Sequence, residues 1–254
     1  MEENLIRKTV NNNGTEIEYY ISNQVNSKST LILSMGIWES AVRALPLITR
    51  LAGRHCIALS YRGRGGSSTP KSGFDWSHHM SDLACVIKNE QTNRPVFLGF
   101  SKGVSYMLGY LSANLEIAQG VIIIDYPAIH SKLEKGAAEF WGNMKYNGFK
   151  LADFVNIHAL EGIERESTYK EFFSIFNEIK CPVWVFRGTD TESDIPSNLT
   201  EDDLLKYKAS IKDLEIVDFT FSGHMILDEE LGKAANHIRR ILDKIDAKSC
   251  VGNM

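Results

Sequence analysis

The chain has 254 residues, 43% hydrophobic, 24% charged and 10% aromatic, enough to bury a large core in one domain; this composition excludes disorder, collagen and coiled coil. Its 28 Lys plus Arg against 32 Asp plus Glu give a net charge of −4 without a basic stripe, so neither nucleic acid nor an anionic membrane is expected as a partner. The longest apolar runs, such as Val121 to Ile124, fall short of the roughly 20 residues of a bilayer span, and the acidic start Met1-Glu2-Glu3-Asn4-Leu5 lacks the parts of a secretory signal, so a cytoplasmic location is expected.

The first element expected is a hairpin around Asn11-Asn12-Asn13-Gly14, whose Asn and Gly tolerate positive φ. After it, short β-prone runs alternate with segments of helical spacing. The strands are Leu31-Ile32-Leu33, Cys56 to Leu59, Val96-Phe97-Leu98, Val121 to Ile124, Val183 to Phe186 and Leu214 to Val217. Most are apolar on both faces, as buried parallel strands are. The helical segments are Ser40 to Ala52, Trp76 to Asn89, Lys102 to Asn114, Glu201 to Ile211 and Glu229 to Ile245. This rhythm predicts an α/β fold: a mostly parallel central sheet flanked by helices.

The interval from Pro127 to Lys180 breaks the rhythm. It shows no strand, has helical spacing and is rich in Phe, Trp, Tyr and Leu. A helical lid inserted at about 127–180 into a single domain is expected, leaving the sheet at the edge where ligands of open α/β sheets bind. Phe140 and Trp141 in this lid, with Trp38, are the expected substrate-pocket residues. The tail Lys248 to Met254 is expected to be disordered.

The sharpest local signal is Gly99-Phe100-Ser101-Lys102-Gly103, a G-x-S-x-G pentapeptide between a strand and a helix. Such a turn must hold its serine in a strained conformation above the sheet, and small residues two before and two after let strand and helix approach. Ser101 is therefore the candidate nucleophile. A serine hydroxyl needs a base, and of the seven histidines only His224, in Ser222-Gly223-His224-Met225, falls in a loop at the carboxyl edge of the sheet. A carboxylate is then needed to orient it, and Asp125, directly after the apolar strand ending at Ile124, would be satisfied by that role.

These motifs, in this order and over essentially the whole chain, resemble the α/β-hydrolase fold family. The resemblance implies that Ser34-Met35-Gly36-Ile37-Trp38 forms half of an oxyanion hole, and that Ser60-Tyr61-Arg62-Gly63-Arg64-Gly65-Gly66-Ser67 is the glycine-rich loop after the next strand. Met35 replaces the family's customary His and Ser60 its customary Asp, marking a divergent branch. By the same resemblance the backbone N–H groups of Ile37 and Lys102 are the oxyanion donors, and the acid lies at one of two places: in the turn after the strand that follows the lid, at Asp190 or at Glu192 or Asp194 close behind in a turn that Pro196, Ser197 and Asn198 extend, or at Asp125 after the strand that precedes the lid. The implied activity is a serine hydrolase acting on a small to medium ester, lactone or thioester through an acyl-enzyme. The same elbow supports acyl transfer and carbon–carbon bond hydrolysis, and a non-catalytic ligand-binding homologue would keep the same fold.

No G-x-G-x-x-G follows the first strand, no Walker loop occurs, and no His or Cys pair has ligand spacing, so no cofactor and no metal are expected. Cys56, Cys85, Cys181 and Cys250 lie far apart, as thiols do in a reducing compartment. The expected partner is a small-molecule acyl substrate; the sequence carries no signal for an oligomer.

Overall fold

A computed structural model describes residues 5–251 apart from 24, 27, 151 and 152, with residues 249–251 described by their backbone alone. The chain opens with strands β1 (Leu5–Asn12) and β2 (Thr15–Ser22), paired antiparallel so that Asn12 faces Thr15. The two turn residues, Asn13 and Gly14, have φ of 52° and 91°, a two-residue turn with both centres left-handed, which Asn and Gly adopt at least cost. The hairpin is the one expected from sequence.

Next come β3 (Leu31–Ser34), α1 (Ala41–Arg50), β4 (Cys56–Leu59), α2 (Trp76–Asn89), β5 (Val96–Phe100), α3 (Gly103–Leu111) and β6 (Gly120–Ile124). The inserted segment holds β7 (Ile129–His130), α4 (Ala137–Asn143), β8 (Lys145–Tyr146), β9 (Phe149–Lys150), α5 (Ile157–Glu166) and β10 (Lys170–Glu171). The chain then returns as β11 (Val183–Gly188), α6 (Glu201–Ser210), β12 (Leu214–Phe219), α7 (Ile226–Glu229) and α8 (Leu231–Val251). Because α8 is helical through Val251, Lys248 to Val251 are not the disordered tail expected; residues 252–254 lie outside the described residues.

The main sheet has eight strands in the order β1-β2-β4-β3-β5-β6-β11-β12, antiparallel up to β4 and parallel from β4 onward. Side-chain alternation explains the unbroken apolar runs. Val121 and Ile123 enter one core with Leu83 and Val86 of α2, Val104 and Met107 of α3, and Leu204 and Tyr207 of α6. Ile122 and Ile124 enter the other, with Ala44 and Leu47 of α1 and Ile238 and Leu242 of α8. Both faces are dry, and each fully buried Ile or Leu contributes about 1.5–3 kcal/mol.

Since β3 has β4 on one side and β5 on the other, the connections leaving β3 and β5 diverge at their carboxyl ends. Divergence there opens a crevice, the place where an open α/β sheet holds a ligand. The segments after Ser34 and after Phe100 meet in it.

The inserted segment departs from the all-helical expectation. Besides α4 and α5 it contains two small antiparallel ladders, β7 with β10 and β8 with β9. Two-residue strands are too short to print a period of two, which is why the sequence shows only helix spacing there. The segment is fastened by a third apolar cluster in which Leu133, Ala138, Val155, Ala159, Leu160 and Ile163 pack on Ile37 and Phe74 of the body.

Candidate active site

Ser101 follows β5 directly and has φ of 52°. A non-glycine residue pays about 1–3 kcal/mol for such a conformation and keeps it only where the surroundings insist. They do so here. The Ser101 N–H donates to the Ile124 carbonyl at 3.2 Å, and the flanking glycines leave no room for the turn to relax. A Cβ on Gly103 would lie 2.2 Å from the Ser34 carbonyl oxygen, and one on Gly99 2.8 Å from Val104 Cα. Across the crevice, a Cβ on Gly36 would stand 2.9 Å from Ser101 Cβ, so only glycine lets the turn after β3 approach the serine.

Among the described residues, neither the Ile37 nor the Lys102 backbone N–H has an acceptor. Orphaned backbone donors are rare unless something else is meant to meet them. A relay fixes the turn that carries Ile37. His79 Nδ1 meets the Asp75 carbonyl at 2.8 Å, which makes Nδ1 the protonated nitrogen and leaves Nε2 to accept from Arg64 Nη1 at 2.9 Å; Arg64 Nε then donates to the Ile37 carbonyl at 3.0 Å. Burial first, and the Arg64 charge second, hold the His79 imidazole well below its ordinary pKa, so it stays neutral in this relay.

His224 sits in the loop between β12 and α7, with its N–H on the Ile195 carbonyl at 2.7 Å and its ring stacked on Phe100 at 5.1 Å. Its Nδ1 lies 2.8 Å from Asp125 Oδ2. Asp125 follows β6 with φ of 47° and is fully buried. Such a carboxylate survives in a dry site only if its lone pairs are used. Oδ1 accepts from Gly188 N–H at 3.1 Å and Ser197 Oγ at 2.5 Å, and Oδ2 from Asn198 N–H at 2.8 Å in addition to His224. With Nδ1 committed to Asp125, Nε2 keeps its lone pair. Asn198 Nδ2 is 3.2 Å from both ring nitrogens, a position in line with neither, so it does not consume that lone pair.

Of the two carboxylate positions left open by the sequence, the structure brings Asp125 to His224. Asp190 turns elsewhere, accepting from the Glu192 N–H at 2.9 Å, while Glu192 and Asp194 are exposed. Ser197 and Asn198, read from sequence only as part of an extended turn, are residues that hold Asp125 in place.

Ser101 and His224 line one cavity of about 580 Å³ together with Ile37, Trp38, Lys102 and Trp141. Among the described residues no hydrogen bond joins Ser101 to His224; catalytic hydrogen bonds of this kind often tighten only in a substrate complex. Trp38 and Trp141 meet edge to face at 6.0 Å, one from the body and one from the inserted segment. Phe140 is a correction: it is 64% exposed and does not line the cavity, because it lies on the face of α4 turned to solvent. Tyr126, Ser131, Met144 and Ile195 line it instead. No group of three His, Cys, Asp or Glu side chains converges as a metal site would among the described residues, and no helix there is long and apolar enough to cross a membrane.

Solved structures of this shape are plentiful. An esterase from Exiguobacterium antarcticum superposes with a TM-score of 0.76 at 17% identity, covering 94% of this chain and 100% of that one. The esterase RhEst1 from Rhodococcus sp. ECU1013 gives 0.74 at 18%, covering 95% and 99%. A haloalkane dehalogenase variant from Bradyrhizobium elkanii gives 0.78 at 9%, covering 98% and 100%. The chain has the α/β-hydrolase fold. In sequence the likeness is thin: 34% identity over 74 residues to a curated Synechocystis sp. protein named as a non-heme chloroperoxidase, 29% of this chain and 25% of that protein. No protein-family profile matches the chain. Within the α/β-hydrolase fold, the departures at Met35 and Ser60 are absorbed structurally: Met35 is buried in the core, and Ser60 Oγ donates to Glu18 at 2.9 Å while accepting from the Ala41 N–H at 2.9 Å.

Proposed function

We propose that the chain is a serine hydrolase that cleaves a small to medium ester, lactone or thioester through an acyl-enzyme on Ser101. The observation that carries this reading is His224, held by Asp125 at 2.8 Å behind it, lining the same cavity as a serine strained out of the sheet. Ser101 Oγ attacks the carbonyl carbon as His224 Nε2 takes its proton, and the carbonyl electron pair moves to oxygen, where the unclaimed Ile37 and Lys102 N–H groups meet it. Collapse breaks the bond to the leaving oxygen or sulfur, which receives the proton from His224. Water repeats the sequence and frees the acid. Asp125 holds the tautomer and stabilises the imidazolium that forms between steps. The cavity volume suits an acyl group of this size.

A fluorophosphonate probe with peptide mapping tests the reading. Wild type is expected to be modified at Ser101, and Ser101→Ala, still folded by circular dichroism, is expected to lose both labelling and turnover of p-nitrophenyl esters. A folded wild type that resists the probe overturns it.

A further inference from the structure

The cavity contains a charge that the proposed chemistry does not use. Lys102 contributes its backbone N–H to the oxyanion position, but its side chain, 2% exposed, runs into the cavity wall. Of the three N–H donors of its ammonium, one reaches the Ser131 carbonyl at 2.8 Å and another Ser131 Oγ at 3.1 Å. The third is uncommitted. Among the described residues no carboxylate pairs with Lys102, and no Asp or Glu lines the cavity. The charge that acts on it is Arg64, fully buried and in no ion pair either, with its Nη2 unpartnered. The carboxylate in that neighbourhood, Asp82, is already taken by Arg62.

Two buried cations that act on one another without a counterion are strongly penalised. A strap between the nucleophile turn and the inserted segment would not need the charge, because a neutral donor would serve Ser131 as well. A second donor points the same way. Trp38 lines the cavity, and its indole Nε1 is buried without an acceptor.

Resting on the serine-hydrolase reading, we infer that the substrate carries a carboxylate that pairs with the Lys102 ammonium in the cavity wall. Burial, and then Arg64, hold the Lys102 pKa down at about 7, so a carboxylate beside it would also draw a proton onto it.

The test compares p-nitrophenyl monoesters of succinate, glutarate and adipate with neutral p-nitrophenyl esters of matched length at about pH 6.5, below the Lys102 pKa. The best anionic ester is expected to exceed its neutral counterpart in kcat/KM by about tenfold or more, the factor of a charge-assisted hydrogen bond, and Lys102→Met to erase that ratio. A measurement on wild type stands in should the variant not fold: glutarate is expected to slow fluorophosphonate labelling of Ser101, and the neutral glutaramide is not. Preference for neutral esters at every length with Ser101 labelled normally, or a ratio unmoved in Lys102→Met, overturns the anion assignment and leaves the nucleophile standing. An unlabelled, folded wild type overturns the serine reading beneath it.

Discussion

Asp125 and Asp190 differ by one loop. Both follow an apolar strand, and spacing alone cannot rank them, because the choice depends on how residues 189–198 turn. In the structure Ser197 Oγ and the Asn198 N–H come round to Asp125, a tertiary contact with no local signature. Ser101 and His224 were legible from strand-turn-helix context, since strained turns need particular small neighbours; the partners of the acid were not. Asp125→Asn is expected to lower kcat/KM for p-nitrophenyl esters by roughly 10⁴, because an amide at this position favours the wrong imidazole tautomer. Asp190→Asn is expected to leave it within about twofold, because its carboxylate turns to the Glu192 N–H rather than to His224. Parallel Michaelis–Menten measurements check both, and a larger loss in the Asp190 variant would transfer the acid role.

At the level of elements, the turns around the site are held by buried polar anchors that hydropathy does not reveal. Asp82 of α2 accepts from Arg62 N–H, Nε and Nη2 at 3.2, 2.9 and 2.6 Å, and from Asn12 Nδ2 at 2.8 Å, joining the first hairpin, the helix and the glycine-rich loop. Asp82→Ala is expected to cost about 3–5 kcal/mol in urea unfolding, because it strands a buried guanidinium. Gly103→Ala is expected to cost about 1–3 kcal/mol by overpacking against the Ser34 and Met35 carbonyls, with lower labelling of Ser101 as the turn shifts. Strands whose two faces are both dry, such as β6, were readable because every residue along them is apolar. The short ladders of the inserted segment were not, since two paired residues carry no pattern, and Phe140 was misplaced because aromatic composition does not say which way a helix faces.

For the whole molecule, buried imidazoles contribute to the response to acid. His130, fully buried beside Ser105, is pushed down to about 3 by burial and then by the Lys102 charge. Between pH 3 and 6.5 the unfolded chain therefore binds a proton that the folded chain refuses, and stability is lost as pH falls through that window. His79 and His55, both lowered by burial, act in the same direction. Tm is expected to drop on going from about pH 7 to pH 5, and His130→Gln to show a smaller drop; an equal drop in both would assign the acid sensitivity elsewhere. The alternation of strands and helices made the architecture readable from sequence, but not these titrations, which depend on which helix covers which ring.

The place of Asp125 just after β6 also has an evolutionary side. Ser101 and Asp125 stand at the ends of neighbouring strands, and the Ser101 N–H rests on Ile124, the residue just before the acid. The stretch from Thr189 to Asp194 makes no contact with His224 through a carboxylate, although Ile195 to Asn198 beyond it still shape the cavity. Substitutions in that stretch can therefore recolour the rim of the cavity while Ser101, Asp125 and His224 keep their places, provided that Ile195 to Asn198 still reach His224 and Asp125.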